Sequence, residues 1–269
     1  MKYINSNKLE ELNIDKKSTY LVIDFDRTIT SFESVDSWDA IAKPEVSGNE
    51  IKLEMTKLYE KYRPIEINYD ISREEKEKAM ETWYTECMNI YYKHKLTEHK
   101  LKLSVKSSNL IFREGAKEFL EKLNKYNIPV IILSAGIGNT IEQFLKENDC
   151  YFDNLFIISN FITFDGIGNI EKFDNSKIIH SLNKTTETHL TKEFESKIEG
   201  RKNKILVGDL IEDENMVSYK EWNTTLKIGF LNTKEKESMI NLEKYKKHFD
   251  IIYTDDDADF KDIVNILKI

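Results

Sequence analysis

The chain has 269 residues, 40% of them hydrophobic and 33% charged, with a formal net charge of −8. This is enough apolar material for one large core plus an insertion under a charged surface. The acidic balance argues against a nucleic-acid polymer as partner, because such binding depends on Lys and Arg displacing counterions from phosphates. Cys87 and Cys150 are too few to staple a chain of this size and form no metal-type pair, so both read as reduced thiols. The opening MKYINSNKLEELNIDKK is charged throughout, and no run approaches the roughly 20 apolar residues of a membrane span. The expectation is a cytoplasmic protein without a membrane partner; nothing in the sequence sets its oligomeric state.

In chain order, residues 19–25 (TYLVIDF) predict a strand buried on both faces that runs out into acidic residues. From about 32 to 106 the apolar spacing is helical. Ile51, Met55, Leu58, Tyr59 and Tyr62 form one stripe, and Met80, Trp83, Tyr84, Cys87, Met88 and Tyr91 another, read as the core of the insertion. This predicts a helical cap at 32–106 inserted between two parts of one core, 1–31 and 107–269. Helices and strands then alternate. Residues 115–127 place Ala116, Phe119, Leu120, Leu123 and Tyr126 on one helical face, and Pro129 opens the strand VIILSA. Ile141, Phe144 and Leu145 mark a helix, LFIIS, KILVG, TLKIGF and DIIYT four strands, and Phe260, Ile263, Val264 and Leu267 a closing helix. The fold class predicted is α/β, a three-layer Rossmann-like core with a mostly parallel sheet and an inserted helical cap. Sites in such folds lie beyond the carboxyl ends of the strands.

Three groups of residues fall at such strand ends. Asp24-Phe25-Asp26-Arg27-Thr28 ends the first strand, where the turning chain can send two carboxylates to separate tasks; an acidic solvated turn would look the same. Asp209 and Asp213 follow KILVG, where carboxylates suit Mg²⁺, although Asp is also a common helix cap. Ser134-Ala135-Gly136-Ile137-Gly138 stands between a strand and a helix, where small residues let backbone N–H groups approach an anion; a plain tight turn fits equally well. Lys184, Lys172 and Lys177 are alternative phosphate cations that spacing alone does not separate. The segment Phe164-Asp165-Gly166-Ile167-Gly168 lacks the acidic ligands of a calcium loop and reads as a hairpin turn.

In this order, DxDxT, a Ser after the next strand, a Lys and GDxxxD resemble the haloacid dehalogenase superfamily. IPVIILSAGIGNTIEQFL, FIISNFITFDGIGNIEKF, IIHSLNK and LKIGFLN together resemble the cytosolic pyrimidine 5′-nucleotidases. The resemblance implies a phosphatase with Asp24 as nucleophile and metal ligand and Asp26 as general acid/base that also offers its carbonyl to the metal. It further implies Ser134 and Lys184 at the phosphate, with Ala135 and Gly136 in the same loop, and Asp209 as a third protein ligand of Mg²⁺. Asp213 would orient Lys184 or a metal-bound water, and Thr28 would support the loop. It favours Lys184 over Lys172 and Lys177, whereas His180, which matches a family His, reads as packing. The implied substrate is a small phosphate ester, a nucleoside 5′-monophosphate. A sugar phosphate or phosphoserine is the nearer alternative, and a non-catalytic binding module the further one, disfavoured by the complete motif set.

One departure stands out. The family residue before the cap-helix Trp is a Glu that contacts the nucleobase, and here Thr82 precedes Trp83. Glu86, one helical turn on, is the expected partial substitute, which predicts a broader or shifted base preference.

Overall fold

A computed structural model of the chain describes residues 2–4, 8–9, 12, 14–68, 70–171, 173, 178–186, 191–232, 242–254 and 258–267. The described strands are β1 Lys2–Ile4, β2 Thr19–Ile23, β3 Val130–Ile137, β4 Leu155–Asn160, β5 Asn203–Gly208, β6 Thr225–Phe230 and β7 Ile251–Tyr253. The helices are α1 Pro44–Ser47, α2 Asn49–Glu66, α3 Arg73–Lys93, α4 Glu98–Ser107, α5 Ala116–Lys125, α6 Gly138–Glu147, α7 Lys192–Ile198, α8 Leu242–Tyr245 and α9 Phe260–Leu267.

The strands form one sheet in the order β1-β7-β6-β5-β2-β3-β4, and every neighbouring pair is parallel except β1 with β7. Alternation of side chains divides the core between the two faces. Leu21, Ile23, Val130, Ile132, Ile205 and Val207 join one buried cluster, and Tyr20, Val22, Ile131, Leu133 and Leu206 the other. Phe119 and Leu123 of α5, Ile141 and Leu145 of α6 and Phe260 of α9 cover the first face. Phe194 of α7 and Tyr245 of α8 cover the second, giving three layers. Each fully buried Val, Leu, Ile or Phe is worth about 1.5–3 kcal/mol, so the continuous apolar runs specify the sheet strongly.

Two features lie outside the sequence reading. β1 adds an antiparallel edge strand whose three residues are too short to show alternation. The strand at VIILSA also runs on through Gly136 to Ile137.

The described part of 32–106 holds α1 to α4 and no strand. Ser72 caps α3, accepting from Glu75 N at 3.3 Å while Glu75 Oε2 accepts from Ser72 N at 3.3 Å. The chain leaves for these helices and returns side by side: Ser31 N donates to Ile111 O, Val35 N to Asn109 O and Arg113 N to Ile29 O, at 2.9, 3.2 and 2.8 Å. No helix among the described residues is long and apolar enough to cross a membrane.

Candidate active site

Register brings the first groups together. Ile23 of β2 lies opposite Ile132 of β3 on one side and Val207 of β5 on the other. The residues that follow, Asp24, Leu133-Ser134 and Gly208-Asp209, therefore emerge in one row at the carboxyl edge. The connection from β2 runs to β3 on one side and that from its neighbour β5 to β6 on the other, and such a divergence is where an open α/β sheet leaves a crevice.

Beyond Asp24 the chain turns tightly. Arg27 adopts a left-handed backbone (φ 62°), its N–H donates to Thr30 Oγ1 at 2.8 Å, and Thr30 N closes the turn onto Phe25 O at 3.0 Å. The turn carries Asp26 away from Asp24 toward Ser37, whose N–H donates to Asp26 Oδ1 at 2.8 Å and whose hydroxyl donates to Oδ2 at 2.6 Å. Thr28 is buried, and its carbonyl accepts from Arg113 Nε at 3.2 Å. Gly136 passes so close to Ser37 Oγ and Asp26 Oδ2 that a Cβ there would collide with both. Gly136 N also donates to Ser134 Oγ at 3.0 Å, and Ala135 O accepts from Trp38 Nε1 at 3.2 Å.

Lys184 reaches this row from the loop after β4. Its Nζ lies 2.6 Å from Asp24 Oδ1 and 2.7 Å from Asp213 Oδ1. Asp213 Oδ2 accepts from the backbone N–H groups of Asp209 and Leu210, each at 2.9 Å, and its carboxyl fills the space where a side chain on Gly208 would stand. Asn160 ties the Lys184 loop to the end of β3: its amide donates to Ala135 O and Ile179 O at 2.9 and 2.8 Å, and its Oδ1 accepts from Ile179 N at 2.8 Å. Lys172 and Lys177 lie outside the described residues. His180 is buried; its N–H donates to Asn183 Oδ1 and its Nδ1 accepts from Leu182 N, so its contacts shape the loop. Asp165 folds a hairpin turn, accepting from Ile167 N and Asn169 N while Phe164 pairs with Ile170.

The electrostatics follow from burial. Ligand atoms of Asp24, Asp209 and Asp213 lie within 4.8 Å of one another, and all three residues are buried. Burial pushes Asp24 up to about 6; Lys184 opposes the rise and Asp213 adds to it. Burial, with the charges of Asp213 and Asp24, holds Asp209 well above the usual carboxylate range. Burial lowers Lys184, but Asp213 and Asp24 outweigh it and the net shift is upward, so the ammonium keeps its proton. Burial, the Asp36 carboxylate and Asp24 push Asp26 up to about 8, although Ser37 opposes them. A carboxyl of this kind holds a proton at neutral pH and can donate it.

Asp24, Asp209 and Asp213 around one ammonium ionise together only at an electrostatic cost, which a hard cation bound among them would offset. The oxygens of Asp213 are engaged by Lys184 and two N–H groups, which leaves Asp24 and Asp209 as the side chains fitted to hold a divalent ion. Bound there, such an ion would neutralise phosphoryl charge.

Over this row lies a cleft of about 990 Å³, including its solvent-filled mouth. Its floor is Asp24, Asp26, Ser134, Gly136, Lys184 and Asp209, and its far wall includes Tyr59, Arg63 and Glu66 of α2, Trp83, Tyr84 and Cys87 of α3, and Trp38. Tyr62 stacks on Trp83 at 5.8 Å and Tyr59 meets it edge-on at 6.1 Å. Thr82 and Glu86 are not among the residues that line the cleft. Thr82 is exposed, with its hydroxyl bonded to Lys78 O at 2.8 Å, and Glu86 lies 3.7 Å from Lys61. One helical position separates Thr82 from Trp83, and the resulting 100° turn moves it off the wall.

A crevice at the switch point of a parallel sheet, floored by paired strand-end carboxylates and a buried Lys, defines a hydrolase of the haloacid dehalogenase type. The pyrimidine 5′-nucleotidase (UMPH-1) family model matches residues 18–268, and the chain belongs to that family. It is 32% identical over 251 residues to the human 7-methylguanosine phosphate-specific 5′-nucleotidase, covering 91% of this chain and 82% of that one. The crystal structure of cytosolic 5′-nucleotidase IIIB bound to cytidine superposes with a TM-score of 0.83 at 26% identity, covering 99% of this chain and 92% of that one. A substrate-bound phosphoserine phosphatase, 19% identical with a TM-score of 0.55 over 93% of this chain and 99% of that one, shares the fold.

Proposed function

We propose that the chain is a Mg²⁺-dependent nucleoside 5′-monophosphatase working through a phosphorylated Asp24. The observation that carries this reading is the placement of Asp24, Ser134, Lys184 and Asp209 at one strand edge beneath an aromatic wall. An Asp24 carboxylate oxygen attacks phosphorus, and the ester P–O bond breaks as Asp26 gives its proton to the departing ribose oxygen. Asp26 then takes a proton from water, whose oxygen attacks phosphorus and breaks the bond to Asp24, releasing inorganic phosphate. Lys184 and Ser134 hold the phosphoryl oxygens, and Asp213 keeps Lys184 directed at Asp24. Mg²⁺ would be held by Asp24, Asp209 and the Asp26 carbonyl, and Thr28 supports the turn.

In this reading residues 32–106 act as a cap on a core made of 1–31 and 107–269, excluding water during the first transfer and opening for release. The compartment is the cytoplasm, as for the cytosolic relative.

The wall favours a base with aromatic faces. Trp38, Tyr59, Trp83 and Tyr84 offer ring faces, which hold a cationic ring, beside Asp39 and Glu66, whose charges are shared with Lys52 at 2.9 Å and Arg63 at 2.6 Å. We therefore place 7-methylguanosine monophosphate, of the class 7-methylguanosine phosphate in the human relative's name, ahead of cytidine and guanosine monophosphates. The test is phosphate release from these nucleotides, ribose 5-phosphate and phosphoserine with Mg²⁺. Equal or faster turnover of ribose 5-phosphate or phosphoserine overturns the nucleotide assignment.

A further inference from the structure

We infer that Arg113 and Asn232 are positioning residues that hold the two acid-bearing loops at the spacing a metal ion needs; this rests on the metal-site reading proposed above. Arg113 heads the fully buried side chains by size, at 2% exposure. It does not line the cleft; it ends the strip of backbone through which the chain returns from α4, and its guanidinium spreads over acceptors on several segments. Nη2 donates to Arg27 O at 2.6 Å and to Asn232 Oδ1 at 3.1 Å, Nε donates to Thr28 O at 3.2 Å, and Nη1 to Ala258 O at 3.4 Å. The guanidinium also lies over the Phe230 ring, 4.1 Å from its centroid.

Two of these acceptors, Arg27 O and Thr28 O, belong to the turn that carries Asp26. The third, Asn232, passes the constraint on: its amide Nδ2 donates to Asp209 Oδ2 at 3.3 Å. One buried cation thus fixes the loop after β2 and, through a side chain just past β6, the carboxylate after β5. A planar fork with several donors suits this task, and a Lys in its place has one nitrogen for acceptors that diverge. The bond to Asn232 Oδ1 also turns that amide so that its NH₂ faces Asp209, which fixes the carboxylate's orientation. Partners of this kind typically change metal affinity 10- to 100-fold when removed.

The experiment measures Mn²⁺ binding by paramagnetic resonance, with Mg²⁺ competition, on the full chain as parent, Asn232→Ala and Arg113→Lys. Melting temperatures of the metal-free proteins are taken alongside. Asn232→Ala is expected to weaken Mn²⁺ and Mg²⁺ binding roughly 10-fold or more, with kcat recovering toward the parent value at saturating Mg²⁺. Arg113→Lys is expected to weaken metal binding at least as much. If that variant does not fold, Asn232→Ala alone decides. Parent-like metal affinity in a folded Asn232→Ala overturns the inference and leaves the metal site standing. A parent protein that takes up neither ion overturns the metal site and the inference with it.

Discussion

Ser37 grips Asp26 with two hydrogen bonds, from its backbone N–H at 2.8 Å and from its hydroxyl at 2.6 Å, so the carboxyl has one orientation beside Asp24. The same hydroxyl accepts from Ile137 N at 3.2 Å. Ser37→Ala removes the hydroxyl contacts and keeps one backbone bond. Because general acid–base catalysis depends on position, kcat should fall roughly 10- to 100-fold with little change in KM. Leaving Ile137 N without its partner should also lower stability by about 1–3 kcal/mol. A Ser37→Ala variant with parental kcat would show that the hydroxyl does not position Asp26 for proton transfer.

Asp24→Asn keeps the side chain's size and an oxygen for Lys184, but an amide does not form the acyl phosphate. Loss of such a participant commonly removes several kcal/mol of transition-state stabilisation. Turnover should be undetectable, with an unchanged circular dichroism spectrum. Beryllium trifluoride, a mimic of the phosphorylated carboxylate, should inhibit the parent and fail to bind Asp24→Asn. Retained activity in a contamination-free preparation would falsify covalent catalysis at this residue.

Chelation should silence the enzyme and Mg²⁺ should restore it, with Ca²⁺ a poor substitute because its larger, looser shell fits the phosphoryl geometry less well. The cluster makes a second readout available. Buried together, Asp24, Asp209 and Asp213 repel one another, and a bound cation offsets this. At 100 times its Kd, Mg²⁺ would stabilise the fold by about 2.7 kcal/mol and raise Tm by several degrees. Asp209→Asn should melt higher than the parent without metal and lose the response to Mg²⁺. A parental Mg²⁺ response in this variant would remove Asp209 from the ligand set.

The central strands were readable because a strand buried on both faces needs an unbroken apolar run, and TYLVI, VIIL and KILVG provide it. The strand-end acids were readable for a related reason: a carboxylate directly after such a run has to sit at the sheet edge. Which edge positions become neighbours depends on strand order, and the resemblance supplied that. The residues that hold the site left no such mark. Ser37, Asn160, Asn232 and Arg113 are polar residues whose partners are 11, 19, 23 and 86 positions away, distances over which no periodic pattern carries information. Thr82 shows the opposite limit. Its helix is plain in the sequence, but which side of Trp83 faces the cleft depends on how α3 rotates against α2.

That rotation decides which side chains meet the base. Trp83 lines the cleft, with Tyr62 stacked on it at 5.8 Å and Tyr59 and Tyr84 edge-on at 6.1 and 5.7 Å, so it is the centre of the aromatic wall. Stacking a base on an aromatic side chain is worth about 1–3 kcal/mol, so Trp83→Ala should raise KM for nucleoside monophosphates roughly 10- to 100-fold and leave ribose 5-phosphate hydrolysis near its parental level. Glu66 is the wall carboxylate placed to favour a cationic base. Arg63 at 2.6 Å and Ser181 at 2.9 Å hold it without fully covering it. Glu66→Gln should therefore narrow the preference for 7-methylguanosine monophosphate over guanosine monophosphate, by about tenfold for a charge-assisted contact. Thr82→Glu and Glu86→Gln alter side chains that do not line the cleft and should leave the substrate ranking unchanged. Steady-state kcat/KM for 7-methylguanosine, guanosine and cytidine monophosphates and ribose 5-phosphate across the four variants separates these outcomes. If Thr82→Glu reorders the nucleotides while Trp83→Ala does not, the base is read on the outer face of α3 and the aromatic wall has another role.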